Sequence, residues 1–374
     1  MGLDASDGSI VFRQRDAVAA PDWSSIVTTQ REGPATVLST LDPTTGAQVS
    51  SLRIHGNLDV RVVSEWNHQV ALMAPLPKGT SPWTPVPRAE TTITVAESGG
   101  SEPVQRFHLK GNYEPEAFSI DGESLFLIQY LPALHPTSYR VGNLYLEKGK
   151  VWQVAGRNKT WLGKMSGTRL SQVVAPAGDR VYTLYSNQPP EYAQGFDPNA
   201  KGKAPVAFIH TLSTAEGWAF CVPLPRAFGS SPASAEAIAV DPHGTSVYAV
   251  DAAAGLIADI DTESLKVTST AHVDLGPIGD GTVTAAVSPD GTMLYVGSIG
   301  GGADIIALDT ATLSAQLRWS ADGLVSDLIL SADGSRLYAT ERDSVRVFDP
   351  ETGQQIGSIA APGAQGIGLV ASIA

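Results

Sequence analysis

The chain has 374 residues, a formal net charge of −13, one cysteine, 37 glycines and 25 prolines, and only 17% charged side chains. An acidic surface without a Lys/Arg cluster repels a phosphate backbone, which excludes general nucleic-acid binding. The single Cys221 excludes an intrachain disulfide and reads as a small buried hydrophobe. No run reaches the roughly 18 apolar residues of a membrane span, so no membrane insertion by this chain is expected.

In chain order, the run 9–14 is a strand candidate, and after it one pattern recurs. Each unit has a tight turn between two apolar runs, then a second such turn about twenty to forty residues on. The first pair of turns falls at Pro21-Asp22-Trp23 and at Asp42-Pro43-Thr44-Thr45-Gly46. Glu65-Trp66-Asn67 and Ser98-Gly99-Gly100 follow, then Asp121-Gly122 with Glu147-Lys148-Gly149, and Ala177-Gly178 with Thr214-Ala215-Glu216-Gly217.

The last three copies are plainest. Residues 237–250, 285–296 and 328–339 each run strand, turn, strand, around Pro242-His243-Gly244, Pro289-Asp290-Gly291 and Ala332-Asp333-Gly334. Gly supplies the positive φ such hairpins need. A second hairpin follows each: 257–267, 305–315 and 345–356. In the last, Asp349-Pro350-Glu351-Thr352-Gly353 shows the logic, with Asp capping the turn, Pro fixing φ and Gly closing it.

Seven first turns and seven second turns make seven units of four short strands. That spacing is too long for a β-helix and too regular for a pair of sandwiches. The fold expected is all-β: a single-domain, seven-bladed β-propeller of four-stranded antiparallel blades. The blades are expected over 9–55, 56–110, 111–156, 165–225, 234–274, 281–320 and 324–361. The segment 364–374 is expected as a closing strand that joins the N-terminal blade and hides an open edge.

The words at 285–296 and 345–353 resemble the bacterial YVTN-type β-propeller repeat family, close in pattern to surface-layer and lactonase-like propellers. The match is good over 235–362 and fades over 1–234. The resemblance implies an extracytoplasmic protein, secreted or membrane-anchored. Met1-Gly2-Leu3-Asp4 runs directly into polar residues, however, so no export signal is read at this start. A cytoplasmic location is the alternative. These motifs encode strands and turns and do not name a ligand. No lactonase catalytic motif can be matched residue by residue.

The seven histidines are scattered, without a metal-ligand spacing, and are read as solvated or turn residues. No nucleophile elbow or phosphate loop is present. The informative feature is three long insertions between second and third strands: 75–90, 131–140 and 186–204. Consecutive insertions on one face build a wall. Its proline-stiffened aromatic residues Trp83, His135, Tyr139, Tyr192 and Phe196 are the candidate partner-binding set. The segments entering the inner strands place Glu114, Glu116, Arg169, Glu236 and Asp327 at the mouth of a central channel.

The function expected is therefore a non-catalytic binding or scaffold module, a monomer that engages a protein, peptide or glycan through the insertion face. The alternatives are a lactonase-like hydrolase using the channel, with Glu116, Glu236 and Arg169 as its first candidates, and a structural cell-envelope protein. No cofactor is expected, and a channel-bound divalent cation is left open.

Overall fold

The sequence folds, in a computed structural model, into short strands joined by tight turns. The structure describes residues 2–3, 9–14, 17–66, 68–80, 84–100, 104–157, 164–189, 207–229, 231–276, 282–299, 304–321, 323–364 and 368. Among them are seven sheets, each holding a four-stranded antiparallel meander in chain order. The first strands of sheets one to seven are Ala17–Ala19, Asp59–Val63, Asn112–Phe118, Thr168–Val174, Glu236–Val240, Thr284–Val287 and Asp327–Leu330. The last strands are Gln48–His55, Gln105–Lys110, Lys150–Gln153, Trp218–Pro223, Lys266–His272, Ser314–Ser320 and Gln355–Ala360. No α-helix occurs among the described residues.

Contacts group the chain into two compact units. One comprises residues 1–166, 178–181 and 212–219, and the other 167–177, 182–211 and 220–374. Within the first, the first strands of sheets one, two and three lie side by side; within the second, those of sheets four to seven do. In every sheet but the fourth the last strand is an outer edge, and those of sheets one, five and seven expose residues along their length.

The period-2 geometry of a strand explains the packing. In sheet two, Val70 and Leu72 join a cluster with Val27, Leu38 and Ile54 of sheet one. Their neighbours Ala71 and Met73 point the other way, into a cluster with Leu125, Leu127 and Leu144 of sheet three. Sheet six repeats the device. Leu294 and Val296 pack on Val250 and Ile257 of sheet five. Tyr295 packs on Leu337 and Phe348 of sheet seven. Each fully buried aliphatic side chain contributes about 1.5–3 kcal/mol. A one-residue slip would exchange the two faces, so the register is fixed from both sides.

The turns form as their chemistry requires. Asp333 accepts from the Ser335 amide at 3.0 Å and the Ser331 hydroxyl at 2.6 Å, and Gly334 takes φ +72°. Asp42 accepts from the amides and hydroxyls of Thr44 and Thr45. Those bonds favour the charged carboxylate and hold Asp42 at about 2.

The N-terminus differs from expectation. The run at 9–14 does not enter a four-stranded sheet; Ile10–Phe12 pairs with Gly2–Leu3 in a separate two-stranded sheet. The first strand of sheet one is Ala17–Ala19, directly before the Pro21-Asp22-Trp23 turn. The expected closing strand at 364–374 lies, apart from 364 and 368, outside the described residues. Sheet four also gains an unforeseen fifth strand, Ala155–Gly156, which pairs in parallel with Trp218 and Ala219.

Candidate functional site

The insertion of sheet two runs from the end of Gln69–Met73 to the start of Glu90–Glu97. That of sheet three lies between Ser124–Leu131 and Ser138–Tyr145. One side chain joins them. Asn112, the fully buried first residue of its strand, donates Nδ2 to the Val86 carbonyl at 2.8 Å and to the Ala133 carbonyl at 3.1 Å. The Arg88 amide also donates to the Ala133 carbonyl, at 3.2 Å, and the Gly111 amide to the Ala89 carbonyl, at 2.8 Å.

Beneath this lacing lies a buried ion network. Glu114 Oε1 is 2.9 Å from Arg61 Nε, and Glu114 Oε2 is 3.0 Å from Arg88 Nη2. Arg61 donates to the Ala74 carbonyl at 2.6 Å, and Arg88 to the Tyr113 carbonyl at 3.3 Å. Burial pushes the Glu114 carboxyl up, and the two guanidinium groups pull it back. Glu114 was expected at an open channel mouth; it is instead enclosed, and its charge is taken up by two arginines.

Arg61 and Glu116 reach their places through β-bulges. The register skips one residue at each, between Val60 and Val62 and between Pro115 and Ala117. A bulge re-aims the extra side chain, and it tolerates a proline that cannot donate to the ladder. Glu116 is buried.

The partner-binding candidates separate. His135 is exposed, its amide donating to the Pro132 carbonyl at 3.2 Å, and beside it Leu134 is 51% exposed. Tyr139 is not on the surface. It is buried, exchanges main-chain bonds of 2.8 Å with Met165, and donates its hydroxyl to the Ser166 carbonyl at 2.8 Å. The Ser166 hydroxyl in turn donates to the Thr137 carbonyl at 2.9 Å. Tyr139 thus anchors the insertion from below. Trp83, Tyr192 and Phe196 lie outside the described residues.

The other three channel candidates belong to the second unit. Glu236 is buried directly opposite Asp251 in sheet five. Asp327 accepts from the Leu328 amide at 2.9 Å and from the Thr284 hydroxyl at 3.5 Å. Arg169, partly buried, makes its charge felt at His210.

His210 was read as a solvated or turn residue, and the structure overturns this. It is fully buried on a strand, Phe208–Ser213, whose side chains are all buried. Its Nδ1 is 3.6 Å from Cys221 Sγ, and its Nε2 has no hydrogen-bond partner among the described residues. Desolvation, with the Arg169 charge, lowers it to about 3, so it is neutral. Cys221 is buried, and burial pushes its thiol up. His243 occupies its turn as expected, with Nδ1 3.1 Å from Asp241. Among the described residues, no three His, Cys, Asp or Glu side chains gather as a metal-binding group. No helix among them is long and apolar enough to cross a membrane.

No protein-family model matches the chain, and no curated protein matches it in sequence. Solved structures do resemble it. Apo AztD from Citrobacter koseri aligns with TM-score 0.58 at 12% identity, over 96% of this chain and 91% of that one. Sqt1 from Saccharomyces cerevisiae aligns with TM-score 0.56 at 12% identity, over 93% and 85%. The dihydro-heme d1 dehydrogenase NirN in complex with DHE aligns with TM-score 0.52 at 12% identity, over 93% and 66%. At such identities the likeness shows the fold alone: a β-propeller, with the seven sheets as its blades.

Proposed function

We propose that this propeller is a non-catalytic binding module, and that its working surface is the wall formed by the insertions of blades two and three. The observation that carries the reading is the double donation from Asn112, which ties both insertions to one buried side chain. A wall held in this way loses little conformational entropy when a partner docks. Its tip presents the exposed pair Leu134 and His135, an apolar group beside a hydrogen-bonding one. A protein, peptide or glycan is the partner class that suits such a surface. The likeness of the repeats to YVTN-type sequences supports an extracytoplasmic setting.

The test compares wild type with a Leu134→Asp/His135→Ala double variant, both shown folded by circular dichroism, on glycan and peptide arrays. Ligands retained by wild type and lost by the variant support the reading. Identical retention overturns it, as does lactone hydrolysis that survives the double variant and disappears in Glu236→Gln.

A further inference from the structure

Blade five holds two carboxylates with no cation beside them among the described residues. Glu236 opens the first strand, and its register partner Asp251 ends the second. Directly opposite residues put their Cβ atoms about 5 Å apart on the same face of a sheet. Glu236 is 2% exposed and Asp251 0%. Both carboxylate oxygens of Glu236 and Oδ2 of Asp251 are buried without a hydrogen-bond donor. Asp251 Oδ1 accepts from the Ala254 amide at 3.0 Å, which fixes the orientation of that carboxylate.

The surroundings do not neutralise the pair. The groups that act on Glu236 are Asp251, which disfavours its charge, and the Ser186 hydroxyl, which favours it without meeting either oxygen in hydrogen-bonding geometry. Ser186 is itself buried and accepts from Asn187 Nδ2 at 3.2 Å. Burial beside a second carboxylate pushes Glu236 up to about 8. Charges in a dry interior are otherwise paired or bound to a metal ion, because an isolated one is strongly disfavoured there. Three buried acceptor oxygens without a donor therefore point to a positively charged occupant.

We propose that Glu236 and Asp251, with the Ser186 hydroxyl beside them, form a binding site for one divalent, oxygen-seeking cation of the Ca²⁺ or Mg²⁺ class. The chemistry selects the class. The three side chains of the site, Glu236, Asp251 and Ser186, are oxygen ligands, which suits hard cations and not zinc. Two opposed carboxylates match a double positive charge. Their three unengaged oxygens are fewer than such ions require, so main-chain carbonyls or water complete the shell. The site lies in blade five and does not rest on the insertion wall, so it stands or falls independently of the binding reading.

The experiment uses the full chain, treated with a chelator and then desalted. Isothermal titration with Ca²⁺ and with Mg²⁺ is run on wild type, and thermal unfolding on wild type, Glu236→Gln and Asp251→Asn. Near-stoichiometric uptake of at least one cation by wild type is expected. At about 1 mM cation the midpoint should rise by roughly 2–5 °C, because a ligand that binds only the native state stabilises it by mass action. Both variants should lose that rise. No uptake by wild type overturns the proposal whatever the variants do, and then a proton shared by the pair takes the place of the ion. A rise retained undiminished in both variants also overturns it, by placing the cation elsewhere. Should one variant fail to fold, the wild-type titration and the other variant still decide.

Discussion

Asn112 donates its side-chain amide to the main-chain oxygen of Val86, 2.8 Å away, and so fastens the insertion of blade two to the first strand of blade three. A second bond from the same nitrogen, to Ala133, fastens the insertion of blade three at the same point. Two segments far apart in the chain share a single buried donor. The wall therefore depends on one residue more than on any contact at its tip.

Replacing that donor should release both insertions. In Asn112→Asp the side chain keeps its shape and loses the N–H groups, leaving carboxylate oxygens facing two carbonyls. The expected cost is at least about 1–3 kcal/mol, the range for buried groups left without partners, and more where the new carboxylate is charged. Urea unfolding measures it. Limited proteolysis should also show new cleavage within residues 74–89 of the variant, because local opening exposes the backbone. Unchanged stability together with an unchanged digest would show that the insertions are held by other means.

The ion network under the wall gives a second expectation. Glu114→Gln leaves Arg61 and Arg88 converging on a neutral amide in a buried setting. Breaking such a network from one side costs about 3–5 kcal/mol, since the remaining charges are uncompensated. Adding Arg61→Met should recover part of the loss, and a double-mutant cycle on unfolding free energies reads that coupling. Strict additivity of the two substitutions would mean that the two residues do not act as a unit.

Glu114 and Glu116 stand out in the sequence as acidic residues entering inner strands, but their burial and the network of Glu114 with Arg61 and Arg88 do not, for a physical reason. Turn chemistry and period-2 alternation announce strands, which is why the Asp-Gly and Asp-Pro-x-Thr-Gly words revealed four strands per repeat. Arg61 and Glu116 sit at bulges, where the period breaks, and no local pattern says where a bulged side chain points. Asn112 opens a strand and Arg88 lies within an insertion, each a single polar residue whose role exists only once two insertions meet. His210 stands in a strand buried on both faces, where alternation disappears and a histidine looks no different from a turn residue. Tyr139 belongs to a strand and not to the loop its aromatic and proline-rich neighbours suggest, because the insertion ends at Thr137.

A third expectation concerns two turn glycines, Gly353 in a second turn and Gly33 between the second and third strands of blade one. Gly353 has φ +69°, and a Cβ there would come within 2.7 Å of the Trp319 ring. Gly33 has φ +60° with nothing within 4 Å. Gly33→Ala should cost about 1–2 kcal/mol, the backbone cost of a left-handed conformation alone. Gly353→Ala adds a clash with a packed indole, typically about 1–3 kcal/mol more. Thermal or denaturant midpoints of the two variants give the difference directly. Equal losses would mean that the Trp319 ring moves aside freely and does not cover the turn.

The last expectation is a pH dependence with a defined sign. His210 is neutral in the folded protein, lowered to about 3 by burial and by the Arg169 charge, against 6.5 when unfolded. Between these values the unfolded chain binds a proton that the native state refuses, so stability rises with pH across this window and falls on acidification. Each pH unit below 6.5 should remove up to about 1.4 kcal/mol, which makes the loss near pH 5 about 2 kcal/mol. His210→Phe removes the titrating group while keeping a ring against Tyr185, with which His210 packs edge-on at 6.3 Å. Urea unfolding at about pH 7 and about pH 5 should show a smaller drop for the variant than for wild type. Parallel pH profiles would mean that His210 is reached by protons in the folded state, and that its strand opens more readily than its burial implies.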